Sequence, residues 1–154
     1  MIRLVWASVR NARYSGRFYS LQGANTGPPP AHPIGIWLGA YKPRMLEITG
    51  RLADGWVPSY GYVKAEDLSA GNERIDQAAR AAGRDPKAIR RILNIGPPPE
   101  EEPVALMTRL AVEHGMDTFI VGEGDEDPRA HLTAFMRDVA PRVRDAVAEA
   151  RARG

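Results

Sequence analysis

The chain has 154 residues and a mass of 16.9 kDa, enough for one domain with a hydrophobic core and short for two. Its 44% hydrophobic and 26% charged residues are typical of a globular protein and exclude the disordered class. The formal net charge of +2 is too small to indicate nucleic-acid binding, which requires a dense basic patch.

Further classes are excluded by what the sequence lacks. With no cysteine, it has no disulfide, thiolate metal ligand or cysteine nucleophile. The three histidines lack metal-ligand spacing, so we expect no metal site. No apolar run is long enough to span a membrane and no signal peptide is recognisable, so we expect a cytoplasmic protein with no membrane partner.

The first thirty residues predict a helix and then an irregular segment. Ile2, Val5, Trp6 and Val9 form one apolar stripe at helical spacing over residues 1–10. Residues 14–21 alternate only weakly, and a stretch rich in glycine and proline follows as far as residue 30. We therefore expect an irregular excursion that leads into the first strand.

From residue 34 onwards, short apolar strands alternate with amphipathic helices. Strands are predicted at residues 34–38, 55–58, 91–95 and 118–121, and the first is apolar enough for burial on both faces, as in a parallel sheet. Helices are predicted from Pro43 to about Gly50, over residues 65–82 with Gly83 as the C-cap, and over residues 101–114. The last segment is helical, and Pro141 bends or restarts it.

Four strand-helix units in this order predict an α/β fold with a parallel sheet. Glycine- and proline-rich turns at residues 96–99 and 122–124 close the third and fourth strands. Right-handed crossovers leave two architectures open, an open sheet or an arc of a barrel, and the pattern of apolar residues does not choose between them.

Seven short motifs carry a resemblance to a known family. They are GRFY at residues 16–19, PIGIWLGA at 33–40, RML at 44–46, ADGWVPS at 53–59, AGRDP at 82–86, GMDTFI at 115–120 and VAPRVR at 139–144. In this order and at this spacing, the chain resembles the bacterial luciferase-like monooxygenases, flavin- or F420-dependent oxidoreductases built on a (β/α)8 TIM barrel.

The resemblance implies a partial TIM barrel. A whole barrel needs roughly 250 residues, so the four βα units would match barrel strands five to eight, the C-terminal half. We expect a single domain over residues 1–154, with a leading helix and irregular segment at 1–31, βα units at 32–125 and C-terminal helices at 126–154. Because the first and last strands would have unpaired edges, we expect a homodimer or a complementing N-terminal half-barrel.

The turn after the first strand is the candidate cofactor site. A helix N-terminus that follows a glycine offers free N–H groups and a positive dipole end to a phosphate. The resemblance places the phosphate end of F420 or FMN at Gly39, Ala40, Tyr41, Lys42 and Arg44. The alternative for Gly39 and Ala40 is a tight strand-to-helix turn that binds no ligand.

The end of the second strand is the candidate substrate rim. The resemblance implies that Trp56, Pro58 and Ser59 lie on this rim, where they would touch a small organic substrate. Asp54 precedes the strand at the opposite end, so a structural role is expected for it, and Trp37 is expected to pack. No catalytic acid or base is assigned, because relatives carry most catalytic residues in the other half.

These expectations combine into two functional hypotheses. In the first, the chain contributes the cofactor-phosphate side of a flavin- or F420-dependent oxidoreductase or monooxygenase. In the second, it is a non-catalytic half-barrel subunit or truncated remnant that works only by association with a partner.

Overall fold

The structure is a computed structural model that describes residues 1–7, 10–25, 27–96, 101–122 and 127–153. Three features expected from the sequence lie outside these residues: Val9 in the first helix, the prolines at 97–99, and residues 123–124 after the fourth strand. The chain divides into two compact units, Met1–Ile34 and Gly35–Gly154. The second unit carries all of the candidate site residues.

The first unit contains a short helix and a β-hairpin. Its elements are helix α1 (Ile2–Trp6) and the antiparallel strands β1 (Ala12–Ser15) and β2 (Ser20–Ala24). The predicted first helix is therefore present, but it is shorter than residues 1–10. The prediction of an irregular segment at residues 14–21 was wrong, because these residues form most of the hairpin.

Backbone geometry accounts for this hairpin better than side-chain pattern does. Asn11 and Gly23 adopt positive φ angles of 58° and 80° at its open end. At its closed end, the Gly16 N–H donates to the Tyr19 carbonyl over 3.0 Å. Most side chains of the two strands are exposed or half-buried, so the pairing leaves little apolar alternation in the sequence.

The second unit alternates strands and helices in the predicted order. In chain order these are β3 (Trp37–Leu38), α2 (Pro43–Leu52), β4 (Gly55–Trp56), α3 (Ala65–Ala81), β5 (Arg90–Ile95), α4 (Pro103–Val112), β6 (Thr118–Val121), α5 (Pro128–Ala134) and α6 (Ala140–Arg153). A short 3₁₀ turn, Pro86–Ala88, precedes β5. The α/β class is thus confirmed.

Strands β3 to β6 form one parallel sheet in the order β3-β4-β5-β6. Crossovers therefore connect each strand to its immediate neighbour, and β3 and β6 are the two edges of the described sheet. Strands β3 and β4 each have two residues, fewer than the predicted 34–38 and 55–58. The ladder nevertheless continues past β4, since the Val57 N–H donates to the Leu38 carbonyl over 3.0 Å.

Two aspartates join neighbouring strands at the amino-terminal end of the sheet. The Asp54 carboxylate accepts the Ile36 N–H at 2.7 Å, and the Asp54 N–H donates to the Ile36 carbonyl at 2.8 Å. Asp117 repeats this arrangement on Arg91, with a carboxylate contact of 2.9 Å and a backbone contact of 2.8 Å. Asp54 thus has structural contacts at the end of the strand away from the candidate site.

A buried arginine fastens β5 to helix α3. The Arg91 side chain is 9% exposed and donates to the Asp76 carboxylate and, over 2.7 Å, to the Ile89 carbonyl. Burial lowers the pKa of the Arg91 guanidinium, and the neighbouring Asp76 carboxylate opposes that shift. Because the guanidinium charge is desolvated, its ion pair with Asp76 is needed to offset the free-energy cost of burying that charge.

The outer face of the sheet packs against the helices and forms the core. Trp56, Leu93 and Ile95 point outwards and are almost fully buried. Helices α2 and α3 approach closely at Gly50, where an added Cβ would lie 2.8 Å from the Ala78 Cβ. Such a contact leaves no room for a side chain, so Gly50 sets the distance between the two helices.

The inner face of the sheet is the face that carries Trp37, Ile92 and Ile120. Trp37 lies over Gly55, beside Ile92, and the pairing of Asn94 with Ile120 places Ile120 on the same face. Trp37 is 44% exposed and Ile120 is 42% exposed. The expectation that the first strand is buried on both faces was therefore wrong, because its Trp37 side chain stays exposed on the inner side.

The last helical segment is interrupted by a π-helical turn, Phe135–Val139, between α5 and α6. The Ala140 N–H donates to the Phe135 carbonyl, one residue further back than in an α-helix. Pro141 follows directly and has no N–H to continue the ladder. The predicted irregularity at Pro141 is thus confirmed. No helix among the described residues is long and apolar enough to cross a membrane.

Candidate functional site

The candidate site lies at the carboxyl ends of the parallel strands β3 to β6, the end at which barrel enzymes carry their active sites. Backbone hydrogen bonds between the neighbouring strands β4 and β5 continue there. The Asn94 N–H donates to the Pro58 carbonyl at 2.9 Å, and the Tyr60 N–H donates to the Asn94 carbonyl at 2.8 Å. On the other side of β5, the Gly122 N–H donates to the Ile95 carbonyl at 3.1 Å. The described residues that end β4, β5 and β6 are thus held in register.

Residues 39–42 connect β3 to α2 and form a turn held from behind. Ala40 is 1% exposed, and its carbonyl accepts the Trp56 indole N–H over 2.8 Å. Lys42 is the N-cap of α2 in an extended conformation, with no side-chain cap, and Pro43 occupies the first turn. The first N–H groups of this ten-residue helix are therefore not capped by a side chain. They adjoin a turn whose position depends on Trp56.

Gly39 lies on the inner side of this turn, by alternation from Trp37. Among the described residues, a Cβ at Gly39 would contact only the Val57 carbonyl, at an ordinary distance of 3.5 Å. The φ angle of Gly39 is not positive either. The fold therefore does not require glycine here, and the space beside Gly39 remains open on the inner face.

Four side chains lie at or beside the turn: two cations and two tyrosines. Lys42 and Arg44 are exposed at the start of α2, and neither forms an ion pair with any described residue. The Tyr41 hydroxyl accepts the Ser59 N–H at 3.2 Å, and its ring lies 6.3 Å from the Tyr62 ring at an angle of 48°. Two cations, two phenol rings and an uncapped helix start therefore adjoin one another.

The three residues predicted for the substrate rim do not share one environment. Trp56 points outwards into the helix layer, where an added Cβ at Gly71 would touch its ring, and Pro58 is fully buried. Ser59 points inwards and is half-buried, and its hydroxyl lies 3.4 Å from the Asn94 amide nitrogen. Of the three, Ser59 has a polar group directed at the inner side of the site.

Asn94 and Tyr62 belong to this cluster and were missed by the sequence analysis. Asn94 is the only uncharged polar residue in the predicted strand 91–95, which is a signal that could have been used. Its side chain lies beside Ser59 at the carboxyl end of β5. Tyr62 has no such signal, because its place beside Tyr41 depends on the path of a loop.

The histidines lie elsewhere. The His114 ring nitrogen Nδ1 is 3.0 Å from the Ser69 hydroxyl, on the helix layer, and His131 lies on α5. In the described part of the chain, no three acidic or histidine side chains converge as a metal site would require.

Comparison with known proteins assigns this fold and turn to a family. The family model of the luciferase-like monooxygenases matches residues 1–153. The chain belongs to this family. The family resemblance that the motifs predicted is therefore confirmed over almost the whole sequence.

Two of the similar proteins are oxidoreductases by their names. The chain is 32% identical over 162 residues to a phthiodiolone/phenolphthiodiolone dimycocerosates ketoreductase of Mycobacterium kansasii, a match that covers 94% of this chain and 42% of that enzyme. It is 30% identical over 97 residues to the F420-dependent glucose-6-phosphate dehydrogenase of Mycolicibacterium smegmatis, covering 62% of this chain and 28% of that enzyme. The chain thus spans less than half the length of these relatives.

A solved structure of similar fold supports the α/β architecture. An F420-dependent secondary alcohol dehydrogenase, in complex with an F420-acetone adduct, superposes with a TM-score of 0.71 at 15% identity. The match covers 92% of this chain and 58% of that protein. The α/β architecture therefore resembles that of an F420-dependent family member.

Proposed function

We propose that the chain supplies the phosphate-binding wall of an F420 site in a luciferase-like oxidoreductase, with FMN as the alternative cofactor. The observation that carries this proposal is the turn at residues 39–42, where an uncapped helix start, an open glycine and two cations with no ion-pair partner among the described residues adjoin one another. F420 is favoured over FMN because the names of two similar proteins, the glucose-6-phosphate dehydrogenase and the secondary alcohol dehydrogenase, specify it.

The donor groups fit a phosphate. The first N–H groups of α2 carry the positive end of the helix dipole, and Lys42 and Arg44 add two charges at the same place. Gly39 leaves room for close approach on the inner face, and Ala40 is kept in position by Trp56. We assign Gly39, Ala40, Tyr41, Lys42 and Arg44 to the cofactor, with Trp56 as a positioning residue behind them.

The reaction we propose is hydride transfer between the cofactor and an alcohol or carbonyl compound. Three similar proteins support this class of reaction. One is named as a ketoreductase and two as dehydrogenases, and these names specify carbonyl or hydroxyl-bearing substrates. When bound, a reduced deazaflavin supplies the hydride. The chain's own contribution would be to hold the phosphate end, to present Ser59 and Asn94 to a substrate oxygen at the rim, and to exclude water with the two tyrosines.

Titration with F420 tests the cofactor assignment. F420 fluorescence is followed as protein is added, for the wild-type chain and for the Lys42→Ala/Arg44→Ala double variant. Loss of two charged phosphate contacts should weaken binding by about 10- to 100-fold, and the difference should shrink at high salt. Arg51→Ala is the matched control, because Arg51 is an exposed arginine at the opposite end of α2 and should leave the affinity unchanged.

The outcome separates the candidate cofactors and functions. Tighter binding of FMN in a parallel titration would move the assignment from F420 to FMN. Equal affinities for the double variant and the control would contradict the location of the phosphate. If neither cofactor binds, even with a partner present, the alternative of a non-catalytic half-barrel replaces the catalytic proposal.

We further propose that a partner covers the inner face in the working protein. The partner would supply barrel strands one to four, and this chain would supply strands five to eight. Trp37 and Ile120 leave apolar surface exposed there, and β3 and β6 end the described sheet with unpaired edges. The match covers only 58% of the similar dehydrogenase, so that protein has further residues available to cover the corresponding face. A second copy or a separate N-terminal half-barrel would supply it.

Light scattering on the purified chain distinguishes the two partners. A mass of twice 16.9 kDa would support the homodimer, and Trp37→Glu should then shift it towards the monomer. Val112→Glu is the control, because Val112 is 42% exposed at the end of helix α4 rather than on the inner face. A wild-type monomer would exclude the homodimer, leaving the separate half-barrel as the partner.

A further inference from the structure

A wide apolar groove lies beside strand β6 on the outer side of the sheet. Its volume is about 660 Å³, and β6, α4 and α6 all contribute to its walls. The outer face of β6 carries Phe119 and Val121, by alternation from the inward-facing Ile120. The groove is therefore separate from the inner face, and from the turn at residues 39–42, which lies at the other edge of the sheet.

Methionine side chains form much of this groove. Three of the five methionines of the chain, Met107, Met116 and Met136, line it together with phenylalanine and aliphatic side chains. Met107 and Met116 are buried, whereas Met136 is 56% exposed. Because methionine is unbranched and flexible, such walls adapt more readily to a flexible chain than to one rigid shape. The groove therefore suits an acyl chain.

Two arginines of helix α6 border the groove, and neither forms an ion pair with a described residue. Arg144 and Arg151 are seven residues apart, so they lie on one side of the helix and about 10 Å apart along its axis. The other two arginines of α6, Arg142 and Arg153, each lie within 4.0 Å of a glutamate carboxylate. The arginines of α6 without an acidic partner among the described residues are thus the two at the groove.

The acidic side chain that lines the groove is already engaged by its own neighbours. Among the described lining residues, Asp117 is the only acidic one. Its carboxylate accepts the Arg91 N–H over 2.9 Å and the Thr118 hydroxyl over 2.6 Å. The described lining therefore carries two positive charges against one negative charge, which favours an anionic ligand.

We propose that this groove binds a fatty acid, with its acyl chain along the methionines and its carboxylate at Arg144 and Arg151. A guanidinium group matches a carboxylate because it can donate two parallel hydrogen bonds to it. The aliphatic stem of arginine can lie along the apolar wall while its charged head stays in water. Since a cavity of about 150 Å³ holds a benzene ring, this groove of about 660 Å³ has room for a chain of ten or more carbons.

The test compares decanoate with decan-1-ol, which has the same chain length but no charge, by titration of the full chain in heteronuclear NMR. Methyl signals of the three methionines report on the groove. The double variant Arg144→Ala/Arg151→Ala should bind decanoate about 5- to 10-fold more weakly, because the carboxylate loses its charged donors. Its affinity for decan-1-ol should be unchanged, because the acyl-chain contacts remain.

The matched control is Arg142→Ala/Arg153→Ala, which removes the same charge from the same helix. In about 0.15 M salt, which screens distant exposed charges, it should change neither affinity. Ala148→Trp places a large side chain on the exposed, groove-lining side of α6 and should abolish binding of both probes.

Three outcomes would overturn the proposal. They are the absence of decanoate binding by the wild-type chain, equal losses for the two probes in the Arg144→Ala/Arg151→Ala variant, and an equal loss of decanoate affinity in the control. If decanoate does not bind and the Arg144→Ala/Arg151→Ala variant has a lower mass in light scattering than the wild-type chain, the groove is an interface between two copies of the chain instead.

Discussion

Replacement of Trp56 by phenylalanine should destabilise the chain by about 2–4 kcal/mol. The indole N–H donates to the buried Ala40 carbonyl over 2.8 Å, and leaving that acceptor without a donor costs about 1–3 kcal/mol. The smaller ring adds roughly 1 kcal/mol of lost packing, because Trp56 is 1% exposed. For a chain of this size, the sum corresponds to a fall of roughly 5–15 °C in melting temperature.

Trp37→Phe is the matched control for this experiment. Trp37 occupies the neighbouring strand, but it is 44% exposed on the inner face, so its replacement should cost less than about 1.5 kcal/mol. Urea and thermal unfolding followed by far-ultraviolet circular dichroism give both values without relying on tryptophan fluorescence. Equal losses in the two variants would refute the argument that the Ala40 carbonyl depends on Trp56.

Three further outcomes are expected from unfolding and binding measurements. Gly50→Ala should lower the free energy of unfolding by about 2 kcal/mol despite the higher helix propensity of alanine, because the new Cβ would clash with the Ile75 carbonyl and lie 3.0 Å from the Ala79 backbone nitrogen. Gly96→Ala, with no atom of the described residues within 4 Å, should have little effect, and equal values would contradict the close approach of α2 and α3. Asp76→Asn should cost about 3 kcal/mol in urea unfolding, because it leaves the buried Arg91 charge unpaired, whereas Arg80→Ala removes an exposed partner of the same carboxylate and should cost less than about 0.5 kcal/mol. Gly39→Ala should change stability by less than about 1 kcal/mol yet weaken F420 binding about 10-fold, and a loss of stability with unchanged binding would show that Gly39 serves the fold alone.

The elements predicted well from the sequence are those with local chemical signals. Helix α2 begins at Pro43, which suits the first turn, and α3 is followed by Gly83, whose φ angle of 69° suits a C-cap. The strands β5 and β6 are short apolar runs between such helices. Each of these signals lies within a few residues of the element it defines, so no knowledge of the fold is needed.

Features that depend on distant residues were predicted poorly. Whether Trp37 or Trp56 faces the helices is decided by the pairing of Leu38 with Trp56 and by the space above Gly71, and neither is visible in the sequence around the two tryptophans. Trp56 was therefore assigned to the rim on family resemblance, although its ring lies in the helix layer. The hairpin β1–β2 was missed for a related reason, because its stability comes from backbone pairing across a turn.

The described contacts that shape the turn at residues 39–42, the proposed phosphate site, lie within the second unit. Trp56 holds Ala40, and Tyr41 accepts the Ser59 N–H, while the side chains of the inner face make no part of this support. Binding of a phosphate group should therefore not require the rest of the barrel, whereas enclosure of a cofactor ring should. A ligand that carries the phosphate end of F420 without its ring would accordingly bind the isolated chain and a complemented one with similar affinity. A marked gain in its affinity on addition of a partner that covers the inner face would show instead that the partner shapes the turn.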